Sequence, residues 1–293
     1  MRAAGGDFLH RDTGNPLYRR LLERYVQLAT EARVPHAMFP EGALSPDGRL
    51  QDPKLGLLSY LTRTFDPATS SDIVFIPIGT NYDRFPEDSD MVSRNPGEFR
   101  NKGRGFVYRS GASISGRVLW ETLRGRRFYG SACAQFGTPV SFHKWLREHW
   151  IDWATLGKEA RYRLLSDLAD ELMGDISRLI PVTPVAVLCS VILKFDANPI
   201  HVNELRDAFE VTTSQIARSG AYIVFSGDQT RAAFYRAVDI LCRRHAVRRV
   251  GTDRIELIPS AGNLMQYYAN TIEQFVVDES GGPARSYPKI AEP

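Results

Sequence analysis

The sequence lacks both a hydrophobic run long enough to cross a membrane and a cysteine pattern typical of a metal site or a disulfide framework. A transmembrane helix needs about 20 apolar residues, and the longest apolar run, near 185–193, is far shorter and predicts a core segment. Cys133, Cys189 and Cys242 are widely spaced, which favours a reducing, cytosolic setting. Residues 1–11 also lack the apolar stretch of a signal peptide. Any membrane contact is therefore expected to be peripheral.

The sequence also has little net charge. A balance of +3 and a pI of about 8.7 suit a local phosphate site or an anionic lipid surface, but they are weaker than the footprint of a nucleic-acid-binding protein. With 293 residues, of which 43% are hydrophobic, the chain can bury a large core. Its length fits one large domain or two smaller ones.

Strand and helix patterns alternate over the first half of the chain. This alternation predicts an α/β fold whose mixed, partly parallel sheet is flanked by helices. The predicted helices are 16–32 and 54–64, and the predicted strands are 36–39, a buried strand at 73–78, 106–108 and 131–136. Residues 86–105 are polar and contain Gly and Pro, which is typical of a surface loop.

Helical periodicity dominates after about Trp153. We therefore divide the chain into domains 1–150 and 151–293, the second mostly helical with one hairpin. The predicted helices are 158–179, 185–193, 201–216 and 231–245, and the hairpin joins 248–250 to 255–258 through a turn around Gly251. A stripe that contains Phe234, Val238 and Leu241 is predicted to be core rather than an acyl-chain groove.

The loop that follows Phe39 carries the most chemical information. It places the carboxylate of Glu41 beside Gly42 and then adds two cations, Arg49 and Lys54. Glycine lets a ligand approach the main chain, so such a loop can bring N–H groups and positive charge to a phosphate. A surface turn with solvated charges is the simpler alternative for a Glu-Gly pair alone.

Three blocks of residues, taken in their order along the chain, carry a resemblance to a known family. Phe39-Pro40-Glu41-Gly42, with its Gly-Arg-Leu and Pro-Lys-x-Gly continuation, is similar to the Phe-x-Glu-Gly signature of the glycerol-3-phosphate acyltransferase family. Residues 75–83, which contain Pro77, resemble its Val-Pro-Ile block, and residues 5–11 resemble its Gly-x-x-Phe-Ile-x-Arg block. The likeness continues at 131–142. Proline inside a strand also predicts that the strand changes direction at Pro77.

The resemblance implies a glycerolipid acyltransferase-like fold and transfer of a fatty acyl group from acyl-CoA or acyl-carrier protein to glycerol 3-phosphate. It implies that the reaction uses no cofactor and no metal. The implied partner is an anionic membrane surface, with no nucleic acid, and the implied location is peripheral, on the cytoplasmic side of the membrane. Arg11 is expected to bind the substrate phosphate through its planar guanidinium. The substrate-binding residues implied by the resemblance are Gly5, Arg11, Glu41, Gly42, Arg49, Lys54 and Pro77.

The family's general base, a His separated by four residues from an Asp, is not found in the sequence. None of the six histidines has Asp five positions later, although His36 and His143 are followed there by Glu41 and Glu148. The catalytic pair is therefore expected upstream of Met1, and a catalytically inactive relative that binds phospholipid or acyl donor is the alternative. Leu44, where the family commonly has Arg, leaves the acceptor open.

A second class of function competes with acyl transfer. The helices at 201–216 and 231–245, followed by the hairpin, have an order similar to a winged helix, and basic residues accompany them. Nucleic-acid binding through these residues is the third alternative. The basic and aromatic run at 124–129 is equally typical of a solvated turn or a lipid interface. The basic residues near the hairpin are Arg243, Arg244, Arg248 and Arg249.

Overall fold

A computed structural model describes residues 14–84, 130–225 and 227–276 of the chain. The helices of this part are α1 (Pro16–Glu31), α2 (Leu55–Thr62), α3 (Phe142–Glu148), α4 (Lys158–Leu179), α5 (Pro184–Ile192), α6 (Val202–Arg218), α7 (Thr230–Arg243) and α8 (Gly262–Asn270). The strands are β1 (Val74–Phe75), β2 (Ile78–Tyr82), β3 (Ala132–Phe136), β4 (Val140–Ser141), β5 (Ile200–His201), β6 (Val247–Val250) and β7 (Arg254–Leu257). The protein is thus mixed α/β, with more helix than strand in these residues.

The described residues form two compact units. The first contains 14–43, 52–75 and 139–171, and the second contains 44–51, 76–84, 130–138 and the residues from 172 onward. Neither unit ends at residue 150, so the predicted division into 1–150 and 151–293 is not confirmed.

An aromatic cluster forms the core of the first unit. Phe142 lies with its ring centroid 4.9 Å from that of Phe65 and 5.3 Å from that of Trp153. The Arg161 guanidinium stacks over the Trp153 ring at 4.9 Å, a favourable cation–π geometry. Helix α3, which carries Phe142, was not predicted because its seven residues are too few to show helical periodicity.

The predicted strand at 73–78 is two short strands rather than one. β1 pairs with β4, whereas β2 pairs with β3, and the break falls at Ile76 and Pro77. The strand is thus interrupted at the proline, where its pairing partner changes, and the predicted change of direction stays a prediction. The prediction that this strand is buried is wrong in part, since Val74, Ile76 and Ile78 are 40–53% exposed while Pro77 and Gly79 are buried.

The predicted partly parallel sheet is not confirmed. Every strand pair in the described residues is antiparallel, and parallel pairing is limited to one isolated bridge between Val182 and Ile223. Residues 36–39, predicted as a strand, pair with no strand of the described residues, since an apolar run of four residues carries no local signal for a pairing partner. The predicted strand at 106–108 and the predicted loop at 86–105 lie outside the described residues.

Helix α5 lies at the centre of the second unit, with all nine of its residues buried. It packs against α6, α7 and α8, whose apolar faces complete one continuous core. Phe234, Val238 and Leu241 of α7 are part of this core, as predicted. The predicted helices at 158–179, 185–193, 201–216 and 231–245 are confirmed with ends shifted by no more than two residues. Helix α8 was not predicted.

The second unit also contains a three-stranded antiparallel sheet with the order β5-β7-β6. The hairpin β6–β7 turns at Gly251, which has a φ of +61° and occupies the left-handed region that favours glycine. The chain order from α5 through β5, α6, α7, β6 and β7, combined with this strand order, is that of a winged helix. The similarity noted in the sequence therefore extends to the topology.

Candidate functional site

The Glu-Gly loop of the first unit folds back on the start of α2. The Lys54 N–H donates to the Pro40 carbonyl at 2.8 Å, and the Gly42 N–H donates to the Phe39 carbonyl at 3.0 Å. Gly42 has a φ of +70°. A Cβ at this position would lie 3.3 Å from Cγ of Lys54. The positive φ favours glycine at this position, and any larger residue would also have to displace the stem of Lys54 by a few tenths of an ångström.

Lys54 is the N-cap residue of α2, and its extended backbone leads directly into the helix. Within the part of the chain that the structure describes, no side chain caps the first N–H groups of α2, and a Cβ at Gly56 would meet no atom within 4 Å. Among residues 14–84, 130–225 and 227–276, no carboxylate forms an ion pair with the ammonium of Lys54, which is exposed. The loop therefore combines an accessible cation with backbone donors, which is the combination that a phosphate group requires.

The continuation of the loop, residues 44–51, belongs to the second unit. Asp47 organises it, because its Oδ1 accepts the Arg49 N–H at 3.1 Å and its carbonyl accepts a hydrogen bond from the Asn270 side chain at 2.8 Å. Gly48 has a φ of +87°, and a Cβ there would lie 2.1 Å from the Tyr267 carbonyl oxygen. A side chain at residue 48 would thus separate the loop from α8.

Arg49 is held by two carboxylates. Its Nε lies 2.7 Å from Oε2 of Glu273, and its Nη1 lies 3.3 Å from Oδ2 of Asp47. The hydrogen bond to Glu273 raises the pKa of the guanidinium. A phosphate would have to compete with both carboxylates for this side chain, so the geometry favours a structural role for Arg49. Its predicted contact with substrate stays a prediction.

Pro77 begins a segment that packs closely on the helical part of the second unit. The Pro77 carbonyl accepts the Gly137 N–H at 2.9 Å. A Cβ at Gly79 would lie 2.2 Å from the Leu179 carbonyl oxygen, so only glycine allows this approach. Asn81 donates to the Pro181 carbonyl at 2.9 Å. The Val-Pro-Ile block is therefore fixed to the end of α4 through its backbone and small side chains.

Asp83 is a buried carboxylate that the sequence did not single out. It is 1% exposed, and its oxygens accept the N–H of Ser131 at 2.8 Å and of Val185 at 3.3 Å. Val185 lies in the first turn of α5, where a negative charge is favourable. Burial nevertheless raises the pKa of the carboxyl above its ordinary value. Its position directly after β2 gave no signal in the sequence, because an Asp that follows a strand is common in turns and loops.

The remaining predicted site residues are not placed. Gly5 and Arg11 lie outside the described residues. Thus Glu41, Gly42 and Lys54 lie together in the first unit, and Arg49 and Pro77 lie in the second. Leu44, where the family commonly has a cation, is half exposed.

The histidines give no dyad of the kind sought in the sequence. His143 Nε2 is buried without a hydrogen-bond partner in the described part of the chain, and Glu148 pairs with Lys144 at 3.5 Å. Two other histidines do meet carboxylates. His149 Nε2 lies 3.5 Å from Glu171, and His201 Nε2 lies 2.9 Å from Asp253. A search at a fixed five-residue spacing misses both, since their partners are distant in sequence.

The basic residues near the hairpin are also engaged. Arg248 forms a two-point ion pair with Glu256, and Arg249 Nη2 lies 2.8 Å from Oδ1 of Asp239. Arg243 and Arg244 have polar interactions as well. Phosphate binding by the winged-helix elements would have to break such pairs, so the geometry does not favour a nucleic-acid interface here.

No helix in the described residues has the length and apolar content that crossing a bilayer requires. The same residues contain no cluster of three or more His, Cys, Asp or Glu that could hold a metal ion. The basic and aromatic run at 124–129 lies outside them.

Comparison with known proteins adds a family match. The sequence model described as the glycerol-3-phosphate acyltransferase C-terminal region matches residues 117–281, more than half of the chain. These residues lie downstream of the Glu41 loop.

Individual relatives support the match. A glycerol-3-phosphate acyltransferase from Pseudomonas fluorescens strain Pf-5 is 28% identical over 57% of this chain and 19% of its own length. One from Pseudoalteromonas atlantica is 23% identical over 72% of this chain and 26% of its own. A Mycobacterium bovis protein, plsB1, provisionally named an acyltransferase, is 25% identical over 95% of this chain and 43% of its own. The chain thus spans less than half the length of each of these relatives.

Proposed function

Because this chain belongs to the family of the glycerol-3-phosphate acyltransferase C-terminal region, we propose that the protein transfers a fatty acyl group from acyl-CoA or acyl-carrier protein to glycerol 3-phosphate. The hydroxyl oxygen of glycerol 3-phosphate attacks the thioester carbonyl carbon, the C–O ester bond forms and the C–S bond breaks. The hydroxyl proton passes to a base, and the leaving thiolate ends as a thiol. The products are lysophosphatidic acid and the free thiol of the donor, at the first step of phospholipid synthesis.

The observation that carries the proposal is the arrangement of Glu41, Gly42 and Lys54. In this proposal the ammonium of Lys54 and the uncapped N–H groups of α2 bind the phosphate, and the positive φ of Gly42 holds the loop close to the lysine. Glu41 accepts hydrogen bonds from the glycerol hydroxyls. Positioning the acceptor hydroxyl near the thioester converts a bimolecular encounter into a directed one, which is worth many orders of magnitude in rate.

The base is the part of the mechanism that the described residues do not supply at the family's His-x4-Asp spacing. General-base catalysis is worth about 100- to 10,000-fold in rate. Because the His-x4-Asp pair is not found in the sequence, a second candidate function is binding of phospholipid or acyl donor without turnover. The two functions share the phosphate site and differ only in turnover.

We further propose that the protein works as a peripheral protein at an anionic membrane on the cytoplasmic side, since its product is a membrane lipid. It takes acyl-CoA or acyl-carrier protein as co-substrate and uses no metal and no cofactor.

Titration calorimetry of the purified chain with glycerol 3-phosphate tests the binding site directly. Lys54→Gln should weaken binding about tenfold or more, because a charge-assisted hydrogen bond to phosphate is lost. Lys158→Gln is the matched control, since Lys158 is an exposed lysine at the first position of another helix, α4. Equal affinity of wild type and the Lys54 variant would remove Lys54 from the site, and no detectable binding by wild type would contradict the proposed substrate.

A further inference from the structure

Helix α1 exposes its apolar face. Leu17, Leu21, Tyr25 and Leu28 are spaced four, four and three residues apart, so they form one stripe along the helix. Their exposed fractions are 76%, 66%, 52% and 49%. Single exposed apolar residues are ordinary, but a continuous stripe of large ones over three turns marks an interaction surface.

The polar face of α1 is the one that packs against the rest of the first unit. Glu23 and Gln27 are buried together with Val26. Glu23 Oε1 lies 2.8 Å from Nη1 of Arg63 and accepts a hydrogen bond from the Gln27 side chain at 3.2 Å. These contacts fix the rotation of the helix about its axis. The outward direction of the apolar stripe is therefore determined by the fold.

The start of α1 is also ordered. Asn15 caps the helix, and its Oδ1 accepts the N–H of Leu17 at 2.9 Å and of Tyr18 at 3.4 Å. Pro16 at the first helical position fits the same role, because its missing N–H would have no partner inside the helix. The stripe thus lies on a capped, regular helix over its whole length.

Arginines line one edge of the stripe. Arg20 lies three residues after Leu17, and Arg24 lies three residues after Leu21, so both side chains adjoin the apolar face. Arg24 pairs at 3.7 Å with Glu31, which lies on the same edge three residues after Leu28. Arg20 lies 3.7 Å from Glu23, which is already bound closely by Arg63. With two arginines and one glutamate, the exposed edge carries a net positive charge.

We propose that α1 lies in the headgroup region of an anionic lipid bilayer, with Leu17, Leu21, Tyr25 and Leu28 inserted and Arg20 and Arg24 at the phosphates. An apolar stripe edged by long basic side chains is the arrangement of interfacial helices, because the alkyl stems can reach along the apolar surface while the charges stay at the headgroups. In an antiparallel pair with a second copy of the chain, the two arginine edges would lie side by side, so a second copy complements the stripe less well in that arrangement. This inference rests on the proposed function, which places the protein at an anionic membrane, and it adds that the apolar stripe of α1 is the surface that contacts the lipid.

Vesicle co-sedimentation of the full chain tests this assignment, with phosphatidylcholine vesicles that contain or lack phosphatidylglycerol. Wild type should bind the anionic vesicles and release at high salt. The double variant Leu17→Gln/Leu21→Gln should lose at least about tenfold in partitioning, because two large apolar side chains no longer insert. Arg20→Gln/Arg24→Gln should lose a similar factor on anionic vesicles only.

Tyr162→Gln/Val211→Gln is the matched control, since these are exposed apolar residues on α4 and α6. It should bind vesicles like wild type, and all variants should keep the wild-type melting temperature because every changed side chain is exposed. Unchanged vesicle binding by the leucine variant would overturn the assignment. So would absence of vesicle binding by wild type, or a dimer in solution that the leucine variant abolishes without any vesicle binding.

The vesicle assay contains neither glycerol 3-phosphate nor acyl donor. A negative result in the vesicle assay would therefore contradict only the membrane contact of α1. The proposed function is tested separately, by the calorimetric titration with glycerol 3-phosphate, which contains no lipid.

Discussion

Helices α1 and α7 show the same sequence pattern and opposite burial. Both have apolar residues three and four apart, yet Phe234, Val238 and Leu241 of α7 are at most 2% exposed, whereas Leu17 and Leu21 of α1 are at least 66% exposed. Helix α7 packs on α5 inside a continuous core, while α1 packs through Glu23 and Gln27. Periodicity therefore predicts a helix and its apolar face, but not what covers that face.

The largest effect expected from this comparison is on folding stability. Phe234→Ala should lower the free energy of unfolding by about 3–5 kcal/mol, because it leaves a cavity in the core of the second unit. Leu21→Ala should change it by no more than about 0.5 kcal/mol, as for an ordinary surface site. Urea unfolding followed by circular dichroism measures both. Similar losses for the two variants would mean that the α1 stripe is covered in solution.

The next effect concerns the polar face of α1. Glu23→Gln should lower the free energy of unfolding by about 1 kcal/mol, because Arg63 and Gln27 lose a buried charged acceptor. Glu31→Gln is the control, since Glu31 meets Arg24 only at 3.7 Å on the surface, where an ion pair is worth little. The same urea titrations compare them. If the two variants are equally stable, the polar face does not fix the helix.

A smaller effect, visible as a change with pH, is expected from Asp83 in the second unit. Burial raises the pKa of its carboxyl in the folded protein above the unfolded value of about 3.9. The folded state thus binds the proton more tightly, so this contribution to stability is present at low pH and is lost as the pH rises through the folded pKa. The stability of wild type relative to Asp83→Asn should therefore fall as the pH rises from about 4. A difference that grows with pH would show that the backbone donors outweigh burial.

The smallest effect is expected at Trp150, which follows α3 and is 94% exposed. Its φ of +54° lies in the left-handed region, which costs a residue other than glycine about 1 kcal/mol. Trp150→Gly should therefore raise stability by about 0.5 kcal/mol, after the larger entropy of the unfolded glycine chain is included. A small increase in melting temperature by scanning calorimetry is the expected result. A decrease would show that the exposed indole makes stabilising contacts.

The local structure was largely predictable from the sequence, and the pairing of distant segments was not. Helix α4 was predicted with both ends correct, because its 22 residues repeat the helical pattern many times. The direction of pairing between β2 and β3 has no such local signal, and the predicted parallel sheet was not found. Pro77 correctly indicated the break between β1 and β2.

The candidate site was predictable in part for the same reason. Gly42 and Lys54 are close in sequence, and the turn that brings them together follows from local loop chemistry. Arg49 looked like an equivalent cation, yet Glu273, which holds it, lies in a distant segment that no local pattern connects to the loop. Asp83 was missed because its role depends on Val185, at the start of α5.

The measurement that tests the central claim most directly is acyl transfer by the protein purified from its source, with acyl-CoA or acyl-carrier protein as donor and glycerol 3-phosphate as acceptor. Mass spectrometry should detect lysophosphatidic acid, and Glu41→Ala should reduce its rate of formation by about tenfold or more, because the acceptor loses its carboxylate partner. Failure to form lysophosphatidic acid with either donor, or turnover by the Glu41 variant equal to wild type, would contradict the account.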